Sequence, residues 1–263
     1  MVHLLLGLVL LAGNLPITIA NCQMDPGPNR EIPMDMALNS FDDRYEGCTE
    51  MMEQELEELN RTEFASNKVY AEGWTKAVAR WQKSRHCIPK VPGMRPEHVI
   101  AILAYTEECP LYKEFNKAVP KAGRSRQEYL RTFNFKVLHF LLSEALRILK
   151  DSRSGRCYSV YRGIKGHHFT AQRLQSVRFG SFASTSLRKD VAMEHGEDTL
   201  FSVYTCYGAL IRDFSCFPRE EEVLVPPFEK FKVTSVTNTA HGARIQLRSQ
   251  KVHNTYNCEW VKG

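Results

Sequence analysis

In the first 150 residues, apolar positions recur every three or four residues, which is the spacing of one helix face. One Glu-rich stretch carries only a narrow apolar stripe and predicts a solvated helix. The strongest pattern follows Ser125 and Glu128, which form a capping-box pair ahead of a broad apolar stripe typical of a core helix. The predicted helices are 49–59, a segment holding Trp74, Val78 and Trp81, 96–105 with Pro96 in its first turn, and 127–150.

After residue 155 the pattern changes to short β-branched and aromatic runs separated by Gly, Pro, Asn and Asp, which is typical of strands and turns. A short helix at 189–194 interrupts these runs, and no internal repeat divides the chain. A helical N-terminal half packed on a strand-rich C-terminal half is an α+β architecture. The predicted strands are 157–161, 176–179, 199–206, 221–225, 232–237 and 243–247.

The N-terminus carries a short apolar run at residues 4–12, followed by Pro16 and by small residues that end at Ala20. This pattern predicts a secretory signal peptide cleaved after Ala20, and the alternative is a buried N-terminal strand or helix. No other segment has the ~20 apolar residues of a membrane span, and the C-terminal residues lack the hydrophobic tail of a GPI signal. We therefore expect a protein without a membrane anchor, either secreted or in the lumen of the secretory pathway.

The composition is that of a globular protein, with 263 residues, 43% apolar, 25% charged and a net charge of +5. This charge is too sparse for a nucleic-acid-binding surface. All eight cysteines follow the predicted cleavage site, so we expect disulfides, and their pairing stays open at this point. No C-x-x-C spacing is present, so we expect no metal site. Asn60 begins the N-glycosylation sequon, which we place after an exposed helix.

Three local groups of residues are candidates for chemistry, since the common nucleotide-loop, zinc-protease and nucleophile-elbow motifs are absent. The first is Arg162-Gly163 at a strand end, where arginine can clamp a phosphate and glycine lets a ligand approach the backbone. The second is Ser184-Thr185-Ser186, in which Ser184 and Ser186 face the same side of a strand. The alternatives are a surface ion pair for Arg162 and the satisfaction of backbone groups for the hydroxyls.

The third group is Glu220-Glu221-Glu222, which opens an apolar strand that ends at Pro226-Pro227. If this stretch is extended, Glu220 and Glu222 project to the same side and Glu221 points away. Two like charges on one face repel each other, so such a pair needs a cation to compensate it. The alternative is a solvated charge run at the surface.

The order and spacing of Arg162, Ser184, Glu220 and Glu222 resemble the R-S-E-x-E signature of the arginine-specific mono-ADP-ribosyltransferases, in their vertebrate ecto-enzyme form. Similar stretches extend over roughly residues 34–258. The resemblance implies an ADP-ribosyltransferase core at 66–258 in which two small sheets bind NAD. A signal peptide at 1–20 and an N-terminal extension with the acidic helix at 21–65 would precede this core.

The resemblance implies an enzyme that transfers ADP-ribose from NAD, and possibly NADP, to protein arginines and releases nicotinamide. Breaking the glycosidic bond gives an oxocarbenium-like ribose, a cation that carboxylates stabilise. Glu222 is then the catalytic glutamate, and Glu220 holds and polarises the acceptor guanidinium. Arg162 would pair with an NAD phosphate beside Gly163, and Ser184 would orient Glu222.

The same resemblance implies that Tyr105 and Ser215 also contact NAD. Two positions depart from the family pattern: Ser181 replaces a common glutamine, and His195 lies where an aromatic residue stacks on nicotinamide. A histidine ring can still stack, so the expected effect is altered affinity rather than lost binding. The family pattern also suggests the disulfides Cys48–Cys258 and Cys157–Cys206, and it leaves Cys22, Cys87, Cys109 and Cys216 unassigned, with Cys87–Cys109 as one possible pair.

Two other functions remain open on the same fold. One is a predominant NAD glycohydrolase; position 220 is glutamate rather than glutamine, which disfavours this function. The other is a catalytically silent, secreted recognition module, which the intact signature disfavours.

Overall fold

The computed structural model describes residues 30–107, 110–240 and 242–262. The predicted signal peptide, Cys22 and Cys109 lie outside these residues. Helices fill the N-terminal half and strands the C-terminal half, so the α+β prediction is confirmed. The helices are α1 (Thr49–Ser66), α2 (Lys68–Ser84), α3 (Pro96–Thr106), α4 (Leu111–Ala122), α5 (Arg126–Thr132), α6 (Lys136–Ser152) and α7 (Lys189–Glu194).

The strands form one eight-stranded sheet and one separate two-stranded sheet within the described residues. The large sheet has the order β4-β9-β10-β6-β2-β5-β8-β7, and β1 pairs with β3. The sheet has two parts, β4-β9-β10-β6-β2 and β5-β8-β7. They meet between β2 and β5 at a single residue pair, Tyr161 with Ser186. The strands are β1 (Arg30–Pro33), β2 (Tyr158–Ile164), β3 (His167–Thr170), β4 (Ser176–Val177), β5 (Ala183–Ser186), β6 (Thr199–Thr205), β7 (Ala209–Leu210), β8 (Glu222–Val225), β9 (Glu229–Thr239) and β10 (Gly242–Val252).

The prediction of one helix over 127–150 is wrong, because the segment forms α5 and α6 with a break between them. The Ser125 hydroxyl accepts a hydrogen bond from the Glu128 amide at 3.1 Å, so the predicted start of the first helix is confirmed. Phe133 then leaves the helical conformation. The buried carboxylate of Glu63 accepts the amides of Lys136 at 2.6 Å and Val137 at 3.1 Å. A carboxylate from α1 thus caps a new helix, and sequence periodicity carries no signal for such a tertiary contact.

Two further helical features differ from the prediction. Helix α4 was missed because Pro120 lies within it, although its apolar residues Leu111, Phe115 and Val119 are buried at helical spacing. Helix α1 continues to Ser66, so the Asn60 sequon lies inside the helix rather than after it. The Asn60 side chain accepts a hydrogen bond from the Tyr70 hydroxyl at 2.7 Å.

An aromatic core connects the helical half to the sheet. Phe182, which immediately precedes β5, packs its ring against Phe115 and His139, with ring centroids 5.5 Å and 5.3 Å apart. The Tyr105 hydroxyl of α3 donates to the Phe182 carbonyl at 3.1 Å. The helices therefore fix the strand that carries Ser184.

The predicted disulfides Cys48–Cys258 and Cys157–Cys206 are both formed. The second joins Cys157, just before β2, to Cys206, just after β6. Because β2 and β6 pair with each other, this disulfide braces the strand that carries Arg162. Cys87 and Cys216 carry free thiols. None of the helices within the described ranges is long and apolar enough to cross a membrane.

Candidate active site

Three neighbouring strands bring the predicted residues together at the joint between the two parts of the sheet. Arg162 lies on β2, Ser184 on β5 and Glu222 at the start of β8. Strand β5 pairs with β2 through Ser186 and with β8 over its whole length. The three signature residues, 60 positions apart in sequence at their extremes, therefore meet at one place in the fold.

Glu222 is a buried carboxylate, 5% exposed, that is surrounded by specific partners. The hydroxyls of Ser184 and Ser215 hydrogen-bond with it, and the Arg162 guanidinium attracts it. The pKa of Glu222 is raised from 4.5 to about 7. Burial is the main cause and the nearby Glu220 carboxylate adds to it, whereas Ser184, Arg162 and Ser215 oppose the rise. The site thus holds a carboxylate that is poorly solvated but oriented by two hydroxyls, which suits it to meet a positive charge that develops on a bound molecule.

Arg162 is held in place by contacts on both sides of the site. Its Nη1 donates to the Ser184 carbonyl at 2.6 Å, and its guanidinium hydrogen-bonds with the Tyr112 hydroxyl of α4. A guanidinium has five N–H donors in a fixed fork, so these contacts leave donors for an anionic group. Tyr112 was not identified from the sequence, because the helix that carries it was missed.

The three hydroxyls of β5 each hold part of the segment that contains Glu222. Ser184 hydrogen-bonds with the Glu222 carboxylate, Thr185 donates to the Val223 carbonyl at 2.5 Å, and Ser186 donates to the Glu220 carbonyl at 2.6 Å. Thr185 and Ser186 therefore hydrogen-bond with backbone carbonyls, as the alternative to a role in chemistry predicted. Ser184 alone of the three reaches the carboxylate.

The same-side argument for Glu220 and Glu222 assumed that residues 220–222 are extended, and the structure does not meet this condition. Glu220 ends a short 3-10 turn at Pro218–Glu220, Glu221 adopts a left-handed conformation with φ 45° and ψ 48°, and β8 begins only at Glu222. Glu222 is buried, whereas the Glu220 side chain is 37% exposed. The two carboxylates remain close enough for Glu220 to raise the pKa of Glu222, but they occupy different environments.

Glu220 faces the end of α7. Its Oε1 lies 3.9 Å from Nε2 of His195. Burial raises the pKa of Glu220, while the neighbouring His195 lowers it and Glu194 raises it. Glu220 is thus a carboxylate at the solvent edge of the site, with a histidine beside it.

Of the two additional positions, Ser215 lies in the site and Tyr105 lies against it. Ser215 hydrogen-bonds with Glu222 and accepts the Phe217 amide at 3.1 Å. Tyr105 is 1% exposed; its hydroxyl accepts from Asn116 Nδ2 at 3.1 Å and hydrogen-bonds with Ser184. Tyr105 therefore supports Ser184 from the protein interior, and its direct contact with NAD stays a prediction.

The structure gives Gly163 a packing role, because the backbone at and after the end of α7 approaches it closely. A Cβ at this position would lie 2.1 Å from the Ala192 carbonyl oxygen and 2.4 Å from that of Gly196. Gly163 thus allows the end of α7 to rest on β2 next to Arg162. Its contact with NAD stays a prediction.

Among the residues that the structure describes, no group of three His, Cys, Asp or Glu side chains could hold a metal ion.

The sequence and the fold match one family. The family model described as NAD:arginine ADP-ribosyltransferase matches residues 34–255. This chain belongs to that family. The erythroblast NAD(P)(+)--arginine ADP-ribosyltransferase of Gallus gallus is 52% identical over 262 residues, covering 100% of this chain and 87% of that protein. The GPI-linked NAD(P)(+)--arginine ADP-ribosyltransferase 1 of Homo sapiens is 49% identical, covering 89% of this chain and 76% of that protein.

The solved structures of this ADP-ribosyltransferase family include similar chains. The eukaryotic mono-ADP-ribosyltransferase ART2.2 is 34% identical, with a TM-score of 0.74, covering 88% of this chain and 100% of that chain. A mutant of ART2.2 has been solved in complex with NAD, at the same identity and TM-score. The recognition from the R-S-E-x-E residues is therefore confirmed, and the joint between the two parts of the sheet is the candidate active site.

Proposed function

We propose that this chain transfers ADP-ribose from NAD to arginine side chains of target proteins and releases nicotinamide. The observation that carries the proposal is the buried Glu222 carboxylate, oriented by the Ser184 and Ser215 hydroxyls and flanked by Arg162. Membership of the NAD:arginine ADP-ribosyltransferase family supports the same activity. The names of the relatives from Gallus gallus and Homo sapiens include NADP, so we extend the proposal to NADP as a second co-substrate.

Glu222 would act on the bond between the ribose and nicotinamide. When this bond breaks, its electron pair leaves with nicotinamide and positive charge develops on the ribose. An ionised Glu222 would stabilise that charge in a site that excludes much of the water, where electrostatic stabilisation is strong. Burial that raises the pKa of Glu222 to about 7 also means that the active, ionised form dominates only above neutral pH.

Arg162 and the hydroxyls would position the dinucleotide. The guanidinium is fixed by the Ser184 carbonyl and Tyr112, so its remaining N–H donors point in a defined direction and can pair with a phosphate. Ser184 and Ser215 fix the carboxylate of Glu222, which limits the rotamers it must lose when the substrate binds.

Glu220 would bind the acceptor. An arginine keeps its proton at physiological pH, so the proton must leave as its nitrogen attacks the ribose. The Glu220 carboxylate lies at the solvent edge, 37% exposed, where a side chain of another protein can reach it. Its burial-raised pKa makes it a better proton acceptor than a fully solvated carboxylate.

The test compares three neighbouring glutamates in one assay. Nicotinamide release from labelled NAD is measured with and without a small guanidine acceptor. Glu222→Gln should lose both transfer and hydrolysis by at least about a hundredfold, since it removes the group that stabilises the cation. Glu220→Gln should lose transfer to a similar extent and retain hydrolysis. Glu221→Gln is the matched control and should change neither reaction.

The same assay separates the alternatives. Nicotinamide release that does not depend on the acceptor would identify a glycohydrolase. The absence of both release and NAD binding by calorimetry would identify a silent recognition module. Equal losses of both reactions in Glu220→Gln and Glu222→Gln would refute the division of roles between the two carboxylates.

We also propose that the protein acts outside the cell, on protein arginines, as a secreted form. Relatives named GPI-linked from Homo sapiens and ecto-ADP-ribosyltransferase 5 from Homo sapiens, the latter 40% identical, support an extracellular site. Two disulfides within the fold also suit an oxidising compartment. Expression in cells, followed by assay of medium and washed membranes, distinguishes secretion from anchoring.

A further inference from the structure

The end of α7 has a fixed position relative to the active site. Gly163 on β2 lies directly beneath the Ala192 and Gly196 carbonyls, where a Cβ would collide with both. Gly196 itself has φ +126°, and a Cβ there would lie 2.4 Å from the Lys165 amide nitrogen. Two glycines therefore allow backbone to pack on backbone. This contact places His195, the residue before Gly196, beside the strand that carries Arg162.

His195 faces Glu220 across a short gap that is open to solvent. The distance from Nε2 to Oε1 is 3.9 Å, and the two side chains are 46% and 37% exposed. This distance exceeds a direct hydrogen bond, but a small side-chain rotation or one bridging water would connect the two groups. Both side chains are thus in contact with the acceptor side of the site and with bulk water.

The other charged groups around this pair are few. Glu194 on α7 and Glu222 on β8 both interact electrostatically with Glu220. Arg188, just before α7, is attracted to Glu194 and Glu221 and is ion-paired with Asp190. Just after β2, Lys165 is exposed beside Gly196. His195 is the group in this set whose ring nitrogen lies next to the Glu220 carboxylate and can accept a proton.

We propose that His195 accepts the proton that Glu220 takes from the acceptor arginine and passes it to solvent, which makes His195 a positioning residue for arginine transfer. The inference rests on the proposed function of Glu220. In each transfer the guanidinium nitrogen forms its bond to the ribose carbon and loses one proton, while nicotinamide leaves with the bonding electrons. The proton moves from guanidinium to Glu220, then to neutral His195, then to water, so charge and atoms balance.

The relay gives Glu220 a route by which it ionises again before the next turnover. Burial and Glu194 raise the pKa of Glu220, so the carboxylate releases a captured proton less readily than a solvated one. The imidazole of His195, 3.9 Å away, has a ring nitrogen that can accept this proton. Hydrolysis does not require an arginine to lose a proton, so the relay should matter for transfer alone.

The experiment uses the full chain with His195→Gln and His195→Ala, and with His168→Gln on β3 as a matched histidine control. The readout is the ratio of guanidine-dependent to guanidine-independent nicotinamide release across about pH 5 to 8. This ratio cancels the titration of Glu222, which both reactions share. Both His195 variants should lower the ratio about tenfold and flatten its rise with pH, and imidazole in solution should restore part of the ratio for His195→Ala.

Two results would overturn the relay. The ratio could stay unchanged in both variants; if transfer and hydrolysis fall together, His195 acts in NAD binding instead. The ratio could fall without any change in its pH profile and without rescue by imidazole, which would indicate a steric role. Failure of the proposed function itself is a separate outcome, because the wild-type protein would then show no guanidine-dependent release.

Discussion

Glu222 holds a charge that the fold accommodates poorly, so Glu222→Gln should stabilise the protein while it abolishes activity. The side chain is 5% exposed, and burial is the main reason that its pKa is raised. A glutamine has nearly the same shape, and its carbonyl oxygen can accept the hydrogen bonds from Ser184 and Ser215. The substitution therefore removes the buried charge and keeps most of the contacts.

The expected gain follows from the difference in pKa between the folded and unfolded chain. The folded protein holds the Glu222 proton with a pKa of about 7, compared with 4.5 for the free side chain. The stability contribution of this group is therefore fully present below about pH 4.5 and is lost as the pH rises through about 7. At 1.36 kcal/mol for each pH unit of difference, ionised Glu222 costs about 3 kcal/mol of folding free energy at pH 8.

Unfolding in urea at pH 5 and pH 8 tests this expectation. Glu222→Gln should be more stable than the wild type by about 3 kcal/mol at pH 8 and by only about 1 kcal/mol near pH 5. Glu57→Gln, on the exposed side of α1, is the matched control and should change little at either pH. In thermal scans at pH 8 the gain corresponds to a rise in Tm of roughly 6–12 °C.

The reasoning would be refuted by a gain in Glu222→Gln that is equal at both pH values, since a buried charge cannot produce such a gain. A loss of stability at pH 8 would also refute it, because the carboxylate would then be better satisfied than the amide. Either result would mean that Glu222 does not ionise near pH 7 in the folded protein. The wild-type activity should then not rise as the pH passes through about 7.

Two further predictions concern the parts of the fold that hold the site. Gly163→Ala introduces a Cβ at 2.1 Å from the Ala192 carbonyl oxygen, so it should lower the free energy of unfolding by about 1–3 kcal/mol and reduce transfer and hydrolysis together. Ser159→Ala on the same strand is the control, and an unchanged free energy of unfolding in Gly163→Ala would contradict the packing of α7 on β2. Replacing Cys157 and Cys206 with serine removes a disulfide between residues 49 positions apart and should cost about 2–4 kcal/mol in urea unfolding. A stability equal to that of the wild type would show that the bond does not brace β2.

Much of the site could be predicted because its chemistry is carried by residues with little structural purpose elsewhere. Each of the three groups had a structural alternative when taken alone, and it was the resemblance of their order and spacing to the R-S-E-x-E signature that singled them out; the structure brings Arg162, Ser184 and Glu222 together. Most of the longer strands were predicted from short β-branched runs, since alternation is a local property, whereas β1, β3 and β7 were not predicted. The helix at 189–194 was predicted with the bounds that the structure has.

The features that were missed depend on contacts between distant residues. The break before α6 requires the Glu63 carboxylate, which lies 73 positions earlier in the chain. The local spacing of Leu111, Phe115 and Val119 could have revealed α4, but the contact of its Tyr112 with Arg162 joins distant parts of the chain. Gly163 also accommodates the end of α7. Each of these contacts is created by folding, so local patterns could not contain it.

The turn at Glu221 is what makes the two glutamates different. A continuous strand would have repeated the same environment at Glu220 and Glu222, and two equivalent carboxylates would then compete for one proton. The left-handed Glu221, which costs about 1–2 kcal/mol for a residue with a Cβ, interrupts the strand instead. The Ser186 hydroxyl and the Leu187 amide hold this turn through the carbonyls of Glu220 and Glu221. Because of the turn, Glu222 is buried beside Ser184, Ser215 and Arg162, whereas Glu220 remains at the solvent edge, where a side chain of another protein can reach it.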